Sequence, residues 1–180
     1  MKSKFFRTAC SKRRRDEQNF TVRLPEIHAS YKFQTYMDWT YTNELAYEEA
    51  VSTQNGCFVV RSLVELYLLG DVLKDVKLRN KVLRSLSMQI RQLNLSLSPE
   101  QCDFAWKNTA PNSPLRKVIV DHFVTLTSPE VLRKYSAEWP ADLALQIALM
   151  LMDRYVKDEN VDMNALEARV ESYMEAENDV

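Results

Sequence analysis

The chain has 180 residues, 46% of them apolar and 27% charged, with a formal net charge of -1. That balance predicts a soluble globular chain and supplies no overall attraction to nucleic acid or membrane. Only two glycines occur, Gly56 and Gly70, which argues against a β-sandwich, a Gly-rich phosphate loop or a dinucleotide fingerprint, all of which need glycine backbone geometry.

Residues 1–15 carry seven Lys or Arg and no acid. Ser3 to Cys10 reads as the end of a short helix, with Phe5, Phe6 and Ala9 at helical spacing. The run Lys12, Arg13, Arg14 and Arg15 follows; it is a candidate nuclear localisation signal or phosphate contact, blunted by Asp16 and Glu17 and more simply a solvated loop. Phe20, Val22 and Leu24 then alternate with Thr21 and Arg23, which predicts a strand that Pro25 stops. No second strand signal follows. A lone strand needs sheet partners.

From residue 30 the pattern is helical. Phe33, Tyr36, Met37, Thr40 and Tyr41 are expected on one face with Trp39 beside them, and Asn43 stands where a helix closes on a left-handed residue. Phe58 to Leu73 predicts a central core helix, apolar over more than half its circumference. A second helix with Leu78, Val82, Leu83, Leu86 and Ile90 follows the polar Lys74-Asp75 break. Ser98-Pro99-Glu100-Gln101 is a capping-box helix start, and Ser113-Pro114 and Ser128-Pro129 repeat the serine–proline device. Trp139-Pro140 opens a helix with Leu143, Ile147, Met150, Leu151 and Tyr155 as its apolar positions. Residues 158–180 hold eight acidic residues against the single Arg169; they are expected to form a solvated tail, weakly helical through Met163, Leu166, Val170 and Tyr173 or frayed.

Chemistry-bearing clusters are thin. Cys10, Cys57 and Cys102 form no CxxC pair and read as free thiols of a reducing compartment. His28 and His122 have no ligand partner at helical spacing, so the sequence predicts no metal, no cofactor and no catalytic site. His122, among Val118, Ile119 and Phe123, is expected to be semi-buried and hydrogen-bonded. No apolar run reaches the roughly 18 residues of a membrane span, and residues 5–6 are too short an apolar patch for a signal peptide. An intracellular chain is expected, in cytoplasm, nucleus or both.

Four segments, in order, resemble the BTB/POZ family, in particular its fungal-type members with a helical extension. Phe5-Phe6 with Thr21-Val22-Arg23-Leu24-Pro25 is similar to the family's "FF…TVRLPE" passage. Tyr36-Met37-Asp38-Trp39-Thr40-Tyr41-Thr42-Asn43-Glu44-Leu45 resembles "YLxWLYTGEL", with Asn43 for the usual glycine and Thr40 for an aliphatic residue. Leu63 to Asp71, running on through Leu73, Asp75 and Asn80 to Leu86, is similar to "LVELYVLGDKLQD…N". Asn108 to Arg116 resembles the extension's "NTPPGSPLR" turn. The resemblance implies a mainly α fold: a partial BTB/POZ core with one or few strands over 1–92, a helical extension over 93–157, and the acidic tail over 158–180. The family's N-terminal strands and first helix have no counterpart, so the resemblance implies an N-terminally truncated member that behaves poorly as a monomer.

The resemblance also implies a non-enzymatic protein–protein interaction module. Its expected partners are a cullin scaffold, in the role of a ubiquitin-ligase substrate adaptor, or another BTB protein. Six large rings between Tyr31 and Tyr47 exceed what one buried face can hold, and aromatic residues are common interface anchors. Tyr36, Trp39, Tyr41, Glu44 and Leu45 are the candidate partner-binding residues, Tyr41 being the tyrosine of the family's Tyr-Thr-Gly turn. Two other readings stay open: a transcription-associated nuclear protein using Lys12–Arg15, with nucleic acid a minor expectation, or a degenerate fragment without independent activity.

Overall fold

The computed structural model describes residues 30–45, 56–92, 97–157 and 163–175. The expected helix at Ser3–Cys10, the Lys12–Arg15 run, the strand Phe20–Leu24 and His28 lie outside them. Among the described residues the fold is helical throughout, with eight helices and no strand. They are α1 (Ser30–Thr42), α2 (Gly56–Val72), α3 (Val76–Gln92), α4 (Pro99–Asn108), α5 (Pro114–Leu126), α6 (Pro129–Lys134), α7 (Ala141–Lys157) and α8 (Met163–Ser172).

Helix α2 is central because it is buried all round: every position from Leu63 to Gly70 is shielded from solvent. It packs on α1, α3 and α4, while α5 packs on α3, α4, α7 and α8. One hydrophobic cluster runs from Tyr36 through Leu63, Leu83 and Ile119 to Leu143 and Val170. The expected core and extension therefore share a single interior.

The α2–α3 connection is a tight reversal. Lys74 takes a left-handed φ of 53°, and the Asp75 carboxylate accepts from the Leu78 amide at 3.0 Å, capping α3. Helix α3 approaches closely at Gly70, where an added Cβ would sit 2.9 Å from Arg79 Cγ and 3.3 Å from Leu78 Cδ2. Glycine here serves proximity.

The serine–proline starts follow the sequence, but of the three serines only Ser98 caps its helix through its side chain. Ser98 and Gln101 form a complete capping box, each side chain bonding the other's backbone N–H. Ser113 precedes Pro114 but makes no side-chain cap bond; its hydroxyl pairs instead with Tyr67 OH at 3.2 Å, joining α5 to α2. Arg116 closes the α4–α5 turn. Its guanidinium donates to the Trp106 and Thr109 carbonyls and the Thr109 hydroxyl, and so satisfies acceptors that a helix C-terminus leaves open.

Two helix faces differ from the sequence expectation. On α7, Leu143 and Ile147 are buried as expected, but Leu151 is exposed and Arg154 takes the inward position. The acidic segment is ordered by packing over its described part, with Leu166 and Val170 buried. Its acids face arginines of α3: Arg79 pairs with Glu175, Arg84 with Glu171, and Arg91 with Glu167. Descending numbers on one helix meet ascending numbers on the other, as an antiparallel pair requires. Asn80 completes the docking, donating to the Glu175 carbonyl at 2.9 Å and accepting from its amide at 3.2 Å.

Candidate interaction surface at the end of helix α1

Helix α1 buries Lys32, Tyr36 and Trp39, which stand at i, i+4 and i+7 and so share one helical face. Tyr41 was expected beside Tyr36; it points the opposite way and is 82% exposed. Trp39, expected at the margin, is in the core. The helix needs Lys32 inward because a carboxylate waits there: Lys32 pairs with Glu65 of α2, which Arg61 also reaches at 2.8 Å. Burial, helped by Arg61, pushes the Lys32 ammonium down to about 8. Arg61 in turn lies over the Phe104 ring, 3.5 Å from its centroid, which ties α2 to α4.

The helix ends in a well-bonded turn. Asn43 adopts φ 62° and its amide donates to the Trp39 carbonyl at 2.9 Å. The Thr42 hydroxyl donates to the Asp38 carbonyl at 2.9 Å and accepts from the Glu44 amide at 3.1 Å. Leu45 then re-enters the core. The turn is thus pinned on both sides by buried apolar groups, and between them Tyr41, Thr42, Asn43 and Glu44 stand in solvent.

The five candidate residues therefore divide by role. Tyr36, Trp39 and Leu45 are core anchors and offer no surface to a partner. Tyr41 and Glu44 are the two that a partner can touch. An aromatic ring held out from a turn whose backbone is already fixed is a contact of the kind that carries interface energy, because the backbone loses little freedom on binding.

A second polar feature lies in the interior and has no local signature along the chain. Asp121 of α5 is fully buried and accepts from Arg154 of α7 at 2.6 Å and from Arg169 of α8 at 3.1 Å. Burial first, and then the Asp121 carboxylate, raise the pKa of the Tyr173 hydroxyl well above the usual tyrosine range. Among the described residues, two guanidinium groups face one carboxylate, one positive charge in excess. Next to it in sequence, His122 is buried, and neither ring nitrogen meets a hydrogen-bond partner among the described residues, where a hydrogen-bonded imidazole was expected. Burial, with Arg91, pushes its imidazole down to about 4. Burial also raises the Cys102 thiol pKa far above its ordinary value, so the thiol stays protonated and unreactive.

No group of three or more His, Cys, Asp or Glu among the described residues is arranged to hold a metal. No described helix is long and apolar enough to cross a membrane. No family model matches the sequence, and neither a curated protein nor a solved structure matches it significantly.

Proposed function

We propose that this chain is a non-enzymatic protein–protein interaction module of BTB/POZ type, working inside the cell, whose contact point is the turn that closes α1. The observation that carries the reading is the 82% exposure of Tyr41 on a turn fixed by buried Trp39 and Leu45. The resembling segments supply further support through the jobs their residues do. Asn43 holds the left-handed position that the family gives to glycine. Gly70 allows the close approach of α2 and α3. Arg116 closes the turn of the "SPLR" segment.

The partner this reading favours is a cullin N-terminal domain, with the chain as its adaptor. The test is to mix the two at micromolar concentration and follow complex formation, with Tyr41→Ala as the comparison. Truncating a central interface tyrosine typically costs about 1–2 kcal/mol or more, so a tenfold or greater weakening is expected. Absence of any complex with the native chain would remove the cullin assignment. Equal binding by Tyr41→Ala would remove the turn as its contact point.

A further inference from the structure

Helix α7 carries an apolar face that nothing in the described fold covers. Leu145 is 59% exposed, Leu149 53%, Leu151 47% and Met152 65%. The alanines at 141, 144 and 148 are exposed with them. Residues 143–152 contain no charged side chain, although an exposed helix face in water is ordinarily polar. The side opposite holds Leu143, Ile147 and Arg154, which pack inward.

The spacing on the exposed face is that of a two-helix seam. Ala141, Leu145, Ala148 and Met152 recur at intervals of four, three and four, the repeat that keeps one stripe facing a partner helix. Leu149 and Ala144 flank the stripe on either side, with Leu151 beyond Ala144. Along the seam small and large alternate, Ala, Leu, Ala, Met. In a parallel pairing each residue meets its own type, which crowds some layers and leaves others empty. In an antiparallel pairing Leu145 meets the second copy's Ala148 and Met152 meets the second copy's Ala141. Every layer then joins one large and one small side chain, the arrangement that fills a core evenly.

We propose that α7 is the self-association surface of this chain, pairing antiparallel with α7 of a second copy about a two-fold axis. A fully exposed Leu or Met presents roughly 200 Å², so the four large side chains offer about 450 Å² per copy. With the alanines, two copies bury about 900–1,000 Å² in all, at the lower bound of a specific interface and far below an obligate one. The self-complementary pattern suits an isologous contact, and an interface of this size belongs to the weak, transient class, for which a dimer dissociating in the micromolar range is expected. This inference is independent of the role given to Tyr41.

Sedimentation equilibrium of the full chain, from about 1 to about 200 µM, tests it. The native chain is expected to pass from monomer to dimer. Leu145→Glu is expected to weaken the dimer at least about a hundred-fold, with an unchanged far-ultraviolet circular dichroism spectrum because the position faces solvent. A native chain that stays monomeric throughout overturns the proposal, as does a dimer indifferent to Leu145→Glu. Should that variant misfold, a cysteine mixture decides. Chains carrying Ala141→Cys mixed with chains carrying Met152→Cys form a 141–152 disulfide, located by peptide mass. Each alone forms no 141–141 or 152–152 link. Such like-to-like links, or no 141–152 link, contradict the antiparallel pair.

Discussion

Asp121→Asn removes the buried carboxylate that two guanidinium groups share and leaves them facing each other. In the native chain the carboxylate accepts from Arg154 at 2.6 Å and from Arg169 at 3.1 Å, and both Asp121 and Arg154 are almost wholly buried. Breaking a buried pair by deleting one partner costs about 3–5 kcal/mol, because the remaining charge cannot regain its hydration. Here two cations remain, so the upper half of that range applies. Against the roughly 5–15 kcal/mol that holds a domain together, such a loss is at least a quarter of the total. At about 2–4 °C per kcal/mol for a chain of this size, the midpoint falls by about 8–20 °C. Urea unfolding with linear extrapolation measures it, with the slope m as a check that the unfolded state is unaltered. The reasoning also fixes an order. Arg154→Met alone leaves a neutral Asp121–Arg169 pair and costs less than Asp121→Asn, and adding Arg154→Met to Asp121→Asn recovers part of the loss. A loss below about 1 kcal/mol for Asp121→Asn, or an Arg154→Met effect that adds to it, refutes the account of the cluster.

Stability is also expected to fall on acidification through His122. Its folded pKa, about 4, lies below the ordinary imidazole value of 6.5, so its contribution is fully present above about pH 6.5 and is lost as the pH falls towards 4. The difference amounts to about 3 kcal/mol. His122→Leu removes that slope and, having no unpaired nitrogens to bury, is at least as stable at pH 7; urea midpoints of both chains at pH 7, 5.5 and 4.5 check this. For α8, apolar packing is expected to outweigh the arginine–glutamate contacts, since the Arg84–Glu171 pair is about half exposed on both sides. Glu171→Ala is expected to cost under about 1 kcal/mol and Leu166→Ala about 2–4 kcal/mol, read by thermal unfolding.

Local signals in the sequence were the ones that translated well. The capping box at Ser98, the proline-marked starts at Pro99, Pro114 and Pro129, and the left-handed site at Asn43 each depend on a few neighbouring residues, and each is found as expected. Orientation was harder. Helix α1 carries aromatic rings on several faces, so periodicity could not choose between Tyr41 and Trp39. The choice was made by Glu65, distant in sequence, which receives Lys32 and so turns Trp39 inward. On α7 the polarity rule inverts: Arg154 is buried and Leu151 exposed, because Asp121 of another helix supplies the countercharge. Glu167, Glu171 and Glu175 read as a solvated tail until their partners on α3 are known. In every case the deciding information sits on a residue far along the chain, which no window of local sequence contains.

The resembling segments also look different once their residues are placed. Gly70, Asp75, Ser113 and Arg116 build turns and helix junctions, so a likeness carried by them concerns architecture. Tyr41 and Glu44 alone among the candidate contact residues stand in solvent, and the functional reading rests on them.

Isothermal titration of the full chain with a cullin N-terminal domain, alongside Tyr41→Ala and Glu44→Lys, tests that reading most directly. The account predicts a micromolar complex for the native chain and a loss of about tenfold or more for Tyr41→Ala. It predicts a smaller, salt-dependent change for Glu44→Lys, a charge at the rim. Heat of binding that is absent for the native chain, or identical in all three, contradicts it.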